Sequence, residues 1–188
     1  MAKKAIILMA DGFEDVEAIT PIDYLKRAGI EVTTVSISQN TTVTSAWGKI
    51  KLITDTTLAE LLKQDTASFD AVIIPGGMPG AANLAASEET GNLLKDMAAA
   101  GKLICAICAS PVVVLSPLGL LNGKKFTCFP GLEEKAAEGQ WQDFRVVTDG
   151  NIITSRAAGT TGEFAIAIIE KLLDKETGEK IKNTVMLV

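Results

Sequence analysis

The sequence predicts an α/β fold: a doubly wound, mostly parallel sheet with helices on both faces. Three observations carry that expectation. Short apolar runs, Ala5 to Ala10, Asp70 to Pro75 and Leu103 to Ile107, read as strands buried on both faces. They alternate with helical segments, several of which stop at a glycine. Aromatic residues make up only 5% of a chain that is 47% hydrophobic, so the core must be built from Ala, Val, Ile and Leu. Right-handed crossovers between such strands give the doubly wound arrangement. At 188 residues the chain fits one domain, 1–188, with no repeat or linker.

The elements follow in order. Ala5 to Ala10 is the first strand, and Asp11-Gly12 turns the chain. From Phe13 to Ala28 the apolar residues Val16, Ile19, Ile22 and Leu25 recur every third position, which predicts a helix, kinked or restarted at Pro21 and stopped at Gly29. Ile30 to Ile37 is the second strand. Val43 to Ile53 reads as a hairpin or an extended excursion, and Thr56 to Leu62 as a short helix. After the strand ending at Pro75 comes the loop Gly76-Gly77-Met78-Pro79-Gly80. Ser87 then caps a helix to Ala100, with Glu88 and Glu89 opposing the helix dipole. Leu103 to Ile107 leads into Cys108, with a helix from Ala109 to Leu115 behind it. Phe126 to Phe129 reads as a short strand and Gly131 to Gly139 as a short helix. Asp149-Gly150 marks a hairpin between Arg145–Thr148 and Asn151–Ser155. Gly159 to Leu173 and Glu176 to Val188 are the closing helices.

The balance of charge excludes several functions. A net charge of −5 without a clustered basic face argues against nucleic acid. No apolar run reaches the length needed to span a bilayer, and acidic residues from Asp11 onward break up any signal-like start. Three cysteines in such a chain predict free thiols and a cytoplasmic location.

Ligands of a doubly wound sheet sit at the carboxyl ends of its strands. Three loops are expected there: Asp11 to Glu17, Gly76 to Gly80 and Cys108 to Pro111. A buried strand running into Cys108 and then small residues predicts a nucleophile elbow. The chain has no histidine, so imidazole cannot activate that thiol. The helix behind the elbow is expected to lower its pKa instead. Glu17, early in the first helix, would reach the same cleft as an acid/base, kept protonated by burial and like charge. Glu14 and Asp15 read as exposed. Gly76-Gly77 leaves the backbone bare, so the N–H groups of Gly77 and Ala109 would form an oxyanion hole. Cys105 and Cys108 have C-x-x-C spacing, but three residues of strand rise hold them about 10 Å apart, too far for a disulfide. Zinc ligand spacing is missing, and neither metal nor cofactor is expected. Cys128 would be a resolving thiol only if it came close to the cleft.

Four segments taken in order, Asp11-Gly12-Phe13-Glu14-Asp15-Val16-Glu17, Pro75-Gly76-Gly77, Ala106-Ile107-Cys108-Ala109 and Ser155-Arg156, resemble the ThiJ/PfpI superfamily. Within it they resemble the branch of the parkinsonism-associated deglycases and their bacterial relatives. The resemblance covers nearly the whole chain. It implies a flavodoxin-like sandwich, a homodimer, a reactive Cys108 with Glu17 as its partner, and substrate binding by Gly76, Gly77, Ala109 and Arg156. The Ser155-Arg156 segment would lie near the site or the dimer contact. It also implies action on small dicarbonyls or glycated substrates without glutathione, or oxidative sensing and chaperone-like behaviour through Cys108.

Three departures qualify this. Peptidase-like members carry His after the nucleophile, where this chain has Ala109, which disfavours peptidase activity; an amidotransferase-type hydrolase would lack its proton donor for the same reason. Many deglycase-branch members have His where this chain has Phe129, and an arginine found in some members is missing around Ala46-Trp47-Gly48. The expected chemistry is attack of Cys108 on the aldehyde of a dicarbonyl such as methylglyoxal, with Glu17 moving the proton.

Overall fold

The computed structural model describes residues 2–188. The strands are β1 (Lys4–Met9), β2 (Glu31–Ser36), β3 (Thr42–Thr44), β4 (Lys51–Ile53), β5 (Thr56–Thr57), β6 (Ala71–Ile74), β7 (Leu103–Ile107), β8 (Lys125–Phe126), β9 (Gln140–Trp141), β10 (Val146–Asp149) and β11 (Ile152–Ser155). The α-helices are α1 (Asp15–Arg27), α2 (Leu58–Leu61), α3 (Gly80–Ala86), α4 (Glu88–Ala99), α5 (Thr161–Leu172) and α6 (Lys175–Thr184).

Seven strands form one sheet in the order β10-β11-β7-β6-β1-β2-β5, parallel throughout except at the β10–β11 hairpin. Alternation along each strand splits the core in two. Ile6, Leu8, Val72, Ile74, Ile104 and Ala106 face α2, α3 and α4 through Leu58, Leu84 and Leu94. Ala5, Ile7, Ile73, Leu103, Cys105 and Ile107 face α1, α5 and α6 through Leu25, Phe164 and Ile181. Burial on both faces explains the unbroken apolar runs. The fold is α/β, doubly wound and flavodoxin-like.

Several elements depart from the sequence reading. The α1 helix runs unbroken through Pro21. Pro21 has no N–H to give the Glu17 carbonyl, and packing of its buried ring offsets that loss. Of the apolar face read from Val16, Ile19, Ile22 and Leu25, Leu25 is buried and Ile22 half-buried, but Val16 and Ile19 are exposed and Glu17, Ala18 and Pro21 are buried in their place. Thr56-Thr57, read as helix, form the outer strand β5 before α2 begins. The α3 helix went unread because Gly-Ala-Ala-Asn-Leu-Ala-Ala carries a single large apolar residue. Behind Cys108 lies a single wide π-helical turn, Pro111–Leu115, in place of the expected α-helix. The expected helix over 131–139 is reduced to a 3₁₀ turn at Glu133–Ala136. The expected strand from Phe126 to Phe129 shortens to β8, which pairs with β9 outside the main sheet. Val43 to Ile53 is the β3–β4 hairpin. No helix among the described residues is long and apolar enough to cross a membrane.

Candidate active site

Strand β7 ends at Ile107, and Cys108 follows with φ of 64°. That left-handed conformation costs an L-residue roughly 1–2 kcal/mol, so the surroundings must impose it. Two backbone bonds do so. The Cys108 N–H donates to the Ser155 carbonyl at 3.0 Å, and the Cys108 carbonyl accepts from the Phe129 N–H at 2.8 Å. Ser110 fixes the next turn by donating its hydroxyl to the Pro75 carbonyl at 2.6 Å. The thiol is thereby turned out of the sheet toward the carboxyl ends of β1, β6 and β7.

Glu17 reaches the same point from the first turn of α1 and is 1% exposed. Glu14 caps that helix by accepting the Glu17 N–H at 2.7 Å. The Glu17 Oε2 accepts the Gly76 N–H at 2.9 Å. The Cys108 thiol and the Ala158 N–H lie beside the Glu17 carboxyl, close enough to favour its charged form. The Gly77 and Ala109 N–H groups face the Cys108 sulfur and favour its thiolate. Gly77, at φ 89°, adopts a conformation that suits glycine, and its bare α-carbon packs against the Gly12–Glu14 backbone.

The electrostatics correct one expectation. Burial first, and then the Glu14 charge, raise Glu17 to about 7 against the lowering effect of its hydrogen bonds. Burial first, and then the Glu17 carboxylate, push the Cys108 thiol up to about 12. The Gly77 and Ala109 N–H groups pull it down but do not prevail. The expected lowering by a following helix fails because one short π-turn supplies only local N–H groups, while burial and a facing carboxylate outweigh them. The two groups titrate as a pair. Between those values the pair holds one proton and one negative charge, and moving the proton from Cys108 to Glu17 converts thiol and carboxylate into thiolate and carboxylic acid.

A cavity of about 450 Å³ opens over the sulfur. Glu14, Glu17, Gly77, Cys108 and Ala109 form its floor, and Trp47, Met78, Phe129, Leu132, Ala157 and Ala158 line the rest. Gly76 lies just beneath, with its N–H committed to Glu17. Arg156 is not among the lining residues: its guanidinium pairs with Asp143. Glu14, expected to be exposed, is half-buried and lines the cavity as well as capping α1. An acidic residue three positions before Glu17 at a helix start is the cap signal that could have revealed it. Asp15 is likewise half-buried, accepting the Gly48 N–H at 3.3 Å. Cys105 is buried within β7, and Cys128 is buried in the core on the α2–α4 side of the sheet, outside the cavity lining.

The wall carrying Ala157 and Ala158 rests on a hydroxyl pair. Ser155 Oγ and Thr160 Oγ1 lie 2.7 Å apart, and Thr160 Oγ1 accepts the Ala157 N–H at 3.1 Å. Thr160→Val keeps the shape but leaves these polar groups unpaired. It should cost about 1–3 kcal/mol of stability and weaken the Ala158 contact to Glu17, as measured by urea denaturation.

Comparison with known proteins agrees with this architecture. Residues 3–171 match the DJ-1/PfpI family. The chain is 41% identical over 182 residues to Protein DJ-1 homolog B of Arabidopsis thaliana, covering 97% of this chain but 41% of that longer protein. It thus spans about two fifths of that plant relative. Over 188 residues it is 36% identical to the Parkinson disease protein 7 homolog of Danio rerio, covering 98% and 97% of the two chains. Over 173 residues it is 36% identical to the glutathione-independent glyoxalase DJR-1.2 of Caenorhabditis elegans, covering 90% and 89%. The crystal structure of Drosophila melanogaster DJ-1beta superposes with a TM-score of 0.93 at 35% identity, covering 100% of both chains. Oxidized Toxoplasma gondii DJ-1 gives 0.92 at 35% identity, covering 98% of each. The chain belongs to the DJ-1/PfpI family.

Proposed function

We propose that the protein converts small dicarbonyls, or their early adducts, to hydroxy acids through Cys108 and without glutathione. The observation that carries this reading is the pairing of half-buried Cys108 with buried Glu17, beside two backbone N–H groups in an open cavity. The glyoxalase name of the Caenorhabditis elegans relative adds support.

The steps balance without an external oxidant. Glu17 takes the thiol proton as sulfur bonds to the aldehyde carbon, and returns it to the new alkoxide to give a hemithioacetal and restore the carboxylate. The Gly77 and Ala109 N–H groups, which face the sulfur, donate to the developing oxyanion. The Glu17 carboxylate removes the proton from the former aldehyde carbon. A proton returned to the neighbouring carbon leaves a hydroxy thioester, an internal redox change. Water then cleaves the thioester, releasing the hydroxy acid and restoring the thiol. Phe129 and Arg156 supply no proton in this scheme. Arg156, expected to bind substrate, would act by holding the 143–156 segment through Asp143.

The test is lactate formation from methylglyoxal by pure protein without glutathione. Cys108→Ser is expected to fall to background, and a variant rate equal to that of the unaltered protein overturns the reading.

A second reading has its own supporting observation. The same N–H groups and a protonated Glu17 could hold the oxygens of an oxidised Cys108, which would make the protein an oxidative sensor. Mild peroxide followed by mass spectrometry tests it: addition of two oxygens at Cys108 alone supports it, and equal oxidation of buried Cys105 or Cys128 contradicts it. We also propose, for either reading, a homodimer and a cytoplasmic location. The exposed Val16 and Ile19 on α1 give two copies an apolar face to share. Light scattering that shows only monomer at micromolar concentration would remove the dimer.

A further inference from the structure

Three hydrogen bonds that organise the site run through one buried stretch of backbone, Pro75-Gly76. The Gly76 N–H donates to Glu17 Oε2 at 2.9 Å, and the Gly76 carbonyl accepts the Glu14 N–H at 3.0 Å. The Pro75 carbonyl lies just beyond the end of β6 and accepts the Ser110 hydroxyl at 2.6 Å. Among the described residues no backbone N–H donates to that carbonyl. Ser110 is fully buried, two residues past the thiol, and does not line the cavity.

The Pro75 carbonyl and the Gly76 N–H are the two ends of one trans peptide unit. The unit is planar and rigid, so its two ends point in opposite directions, and fixing the carbonyl fixes the aim of the N–H. A donor on the carbonyl also polarises the unit and makes its N–H a stronger donor to a carboxylate. The Ser110 side chain thus acts on Glu17 through a peptide that belongs to neither residue. We propose that Ser110 is a positioning residue: its hydroxyl sets the Pro75–Gly76 peptide so that the Gly76 N–H meets the Glu17 carboxyl and the 76–77 loop stays in register with the elbow. All of these bonds lie inside one chain, so they hold whatever a second copy seated on α1 covers. The inference rests on the reading of Cys108 and Glu17 as the reacting pair.

The ionisable groups that act on Glu17 are Glu14 on its own helix and Cys108 on the elbow, while Gly76 and Ala158 bring only backbone. The Gly76 N–H favours the ionised carboxyl, so weakening that bond raises Glu17 further above about 7. The test is an NMR titration of the full chain from pH 5 to pH 9. It follows the Glu17 carboxyl carbon, the Gly76 amide proton and the Pro75 carbonyl carbon. In the unaltered protein all three should move together near pH 7. A Pro75 signal that stays flat overturns the proposal. Ser110→Ala should raise the Glu17 midpoint by about 1 pH unit. Ser110→Cys keeps a weaker donor and should fall between the two, which supplies the reading if the alanine variant does not fold. A less stable variant with an unmoved midpoint would make Ser110 a purely structural residue and overturns the proposal.

Kinetics separate this inference from the proposed reaction. Ser110 does not reach the cavity, so Ser110→Ala should lower kcat for methylglyoxal about tenfold and leave KM nearly unchanged. A raised midpoint in a protein whose unaltered form never turns over methylglyoxal keeps the positioning role and removes the reaction. Equal turnover by the unaltered protein and Ser110→Ala, with one shared midpoint, does the reverse.

Discussion

Glu17→Gln will slow dicarbonyl turnover by roughly 10²–10⁴-fold while making the protein more stable at alkaline pH. Both effects have one cause. Glu17 is buried, and its carboxyl is raised from 4.5 to about 7, chiefly by burial and then by the Glu14 charge. Folding therefore favours the protonated acid. Its contribution to stability is fully present below pH 4.5 and is lost as pH rises through about 7. At pH 8 the ionised side chain costs the fold on the order of 3 kcal/mol. Glutamine is the same size, accepts the same Gly76 N–H and never ionises, so it removes that cost but cannot take a proton from Cys108. Urea denaturation of both proteins at pH 5 and pH 8 checks the sign: the gain should be small at pH 5 and clear at pH 8. A loss of stability at pH 8 would mean that the ionised carboxylate is a net contributor to the fold. An acid/base group kept at a cost to stability is what a functional site would require.

Gly76→Ala should abolish activity with the nucleophile and the acid both still present. A methyl group at residue 76 would lie 2.5 Å from Cys108 Cβ, 2.6 Å from Glu17 Oε2 and 3.0 Å from the Ile107 carbonyl. These are the three groups that set the geometry of the site, and two of them belong to the strained elbow. Relief requires the Gly76 loop, the elbow or Glu17 to move, and overpacking of this kind costs about 1–3 kcal/mol. Displacing reacting groups by about 1 Å lowers rate by roughly 10²-fold, and separating Cys108 from Glu17 removes proton transfer as well. Steady-state kinetics with methylglyoxal, alongside a thermal melt showing a folded protein, measures this. Retained activity would mean that the Cys108–Glu17 contact is not needed for turnover.

Much of this architecture is legible in the chain because the physics that fixes it is local. Strands β1, β6 and β7 announce themselves as unbroken apolar runs, since each is buried on both faces. Cys108 stands out because a buried strand runs straight into small residues, which is what a sharp turn at a sheet edge needs. Ser87 and the Asp149-Gly150 turn follow from capping and hairpin rules. What stayed hidden depends on distant partners. Thr56-Thr57 joins the sheet only through pairing with Val35 and Ser36. The α3 helix is made of small residues that show no apolar stripe. Glu17 takes a buried position that a periodicity argument assigns to Val16 and Ile19. The upward shift of Cys108 depends on burial and on a carboxyl 91 positions away in sequence. Arg156 turns to Asp143, a contact made by the 143–156 hairpin that no spacing rule encodes.

The central claim is that one proton moves between Cys108 and Glu17, and that the ionised Glu17 is what makes the half-buried thiol reactive. The pH dependence of Cys108 alkylation by iodoacetamide, measured from pH 5 to pH 10 in the unaltered protein and in Glu17→Gln, tests it most directly. The unaltered protein should gain reactivity in a step near pH 7, where Glu17 ionises, and the variant should lack that step and respond only at more alkaline pH. Superimposable profiles for the two proteins would contradict the account.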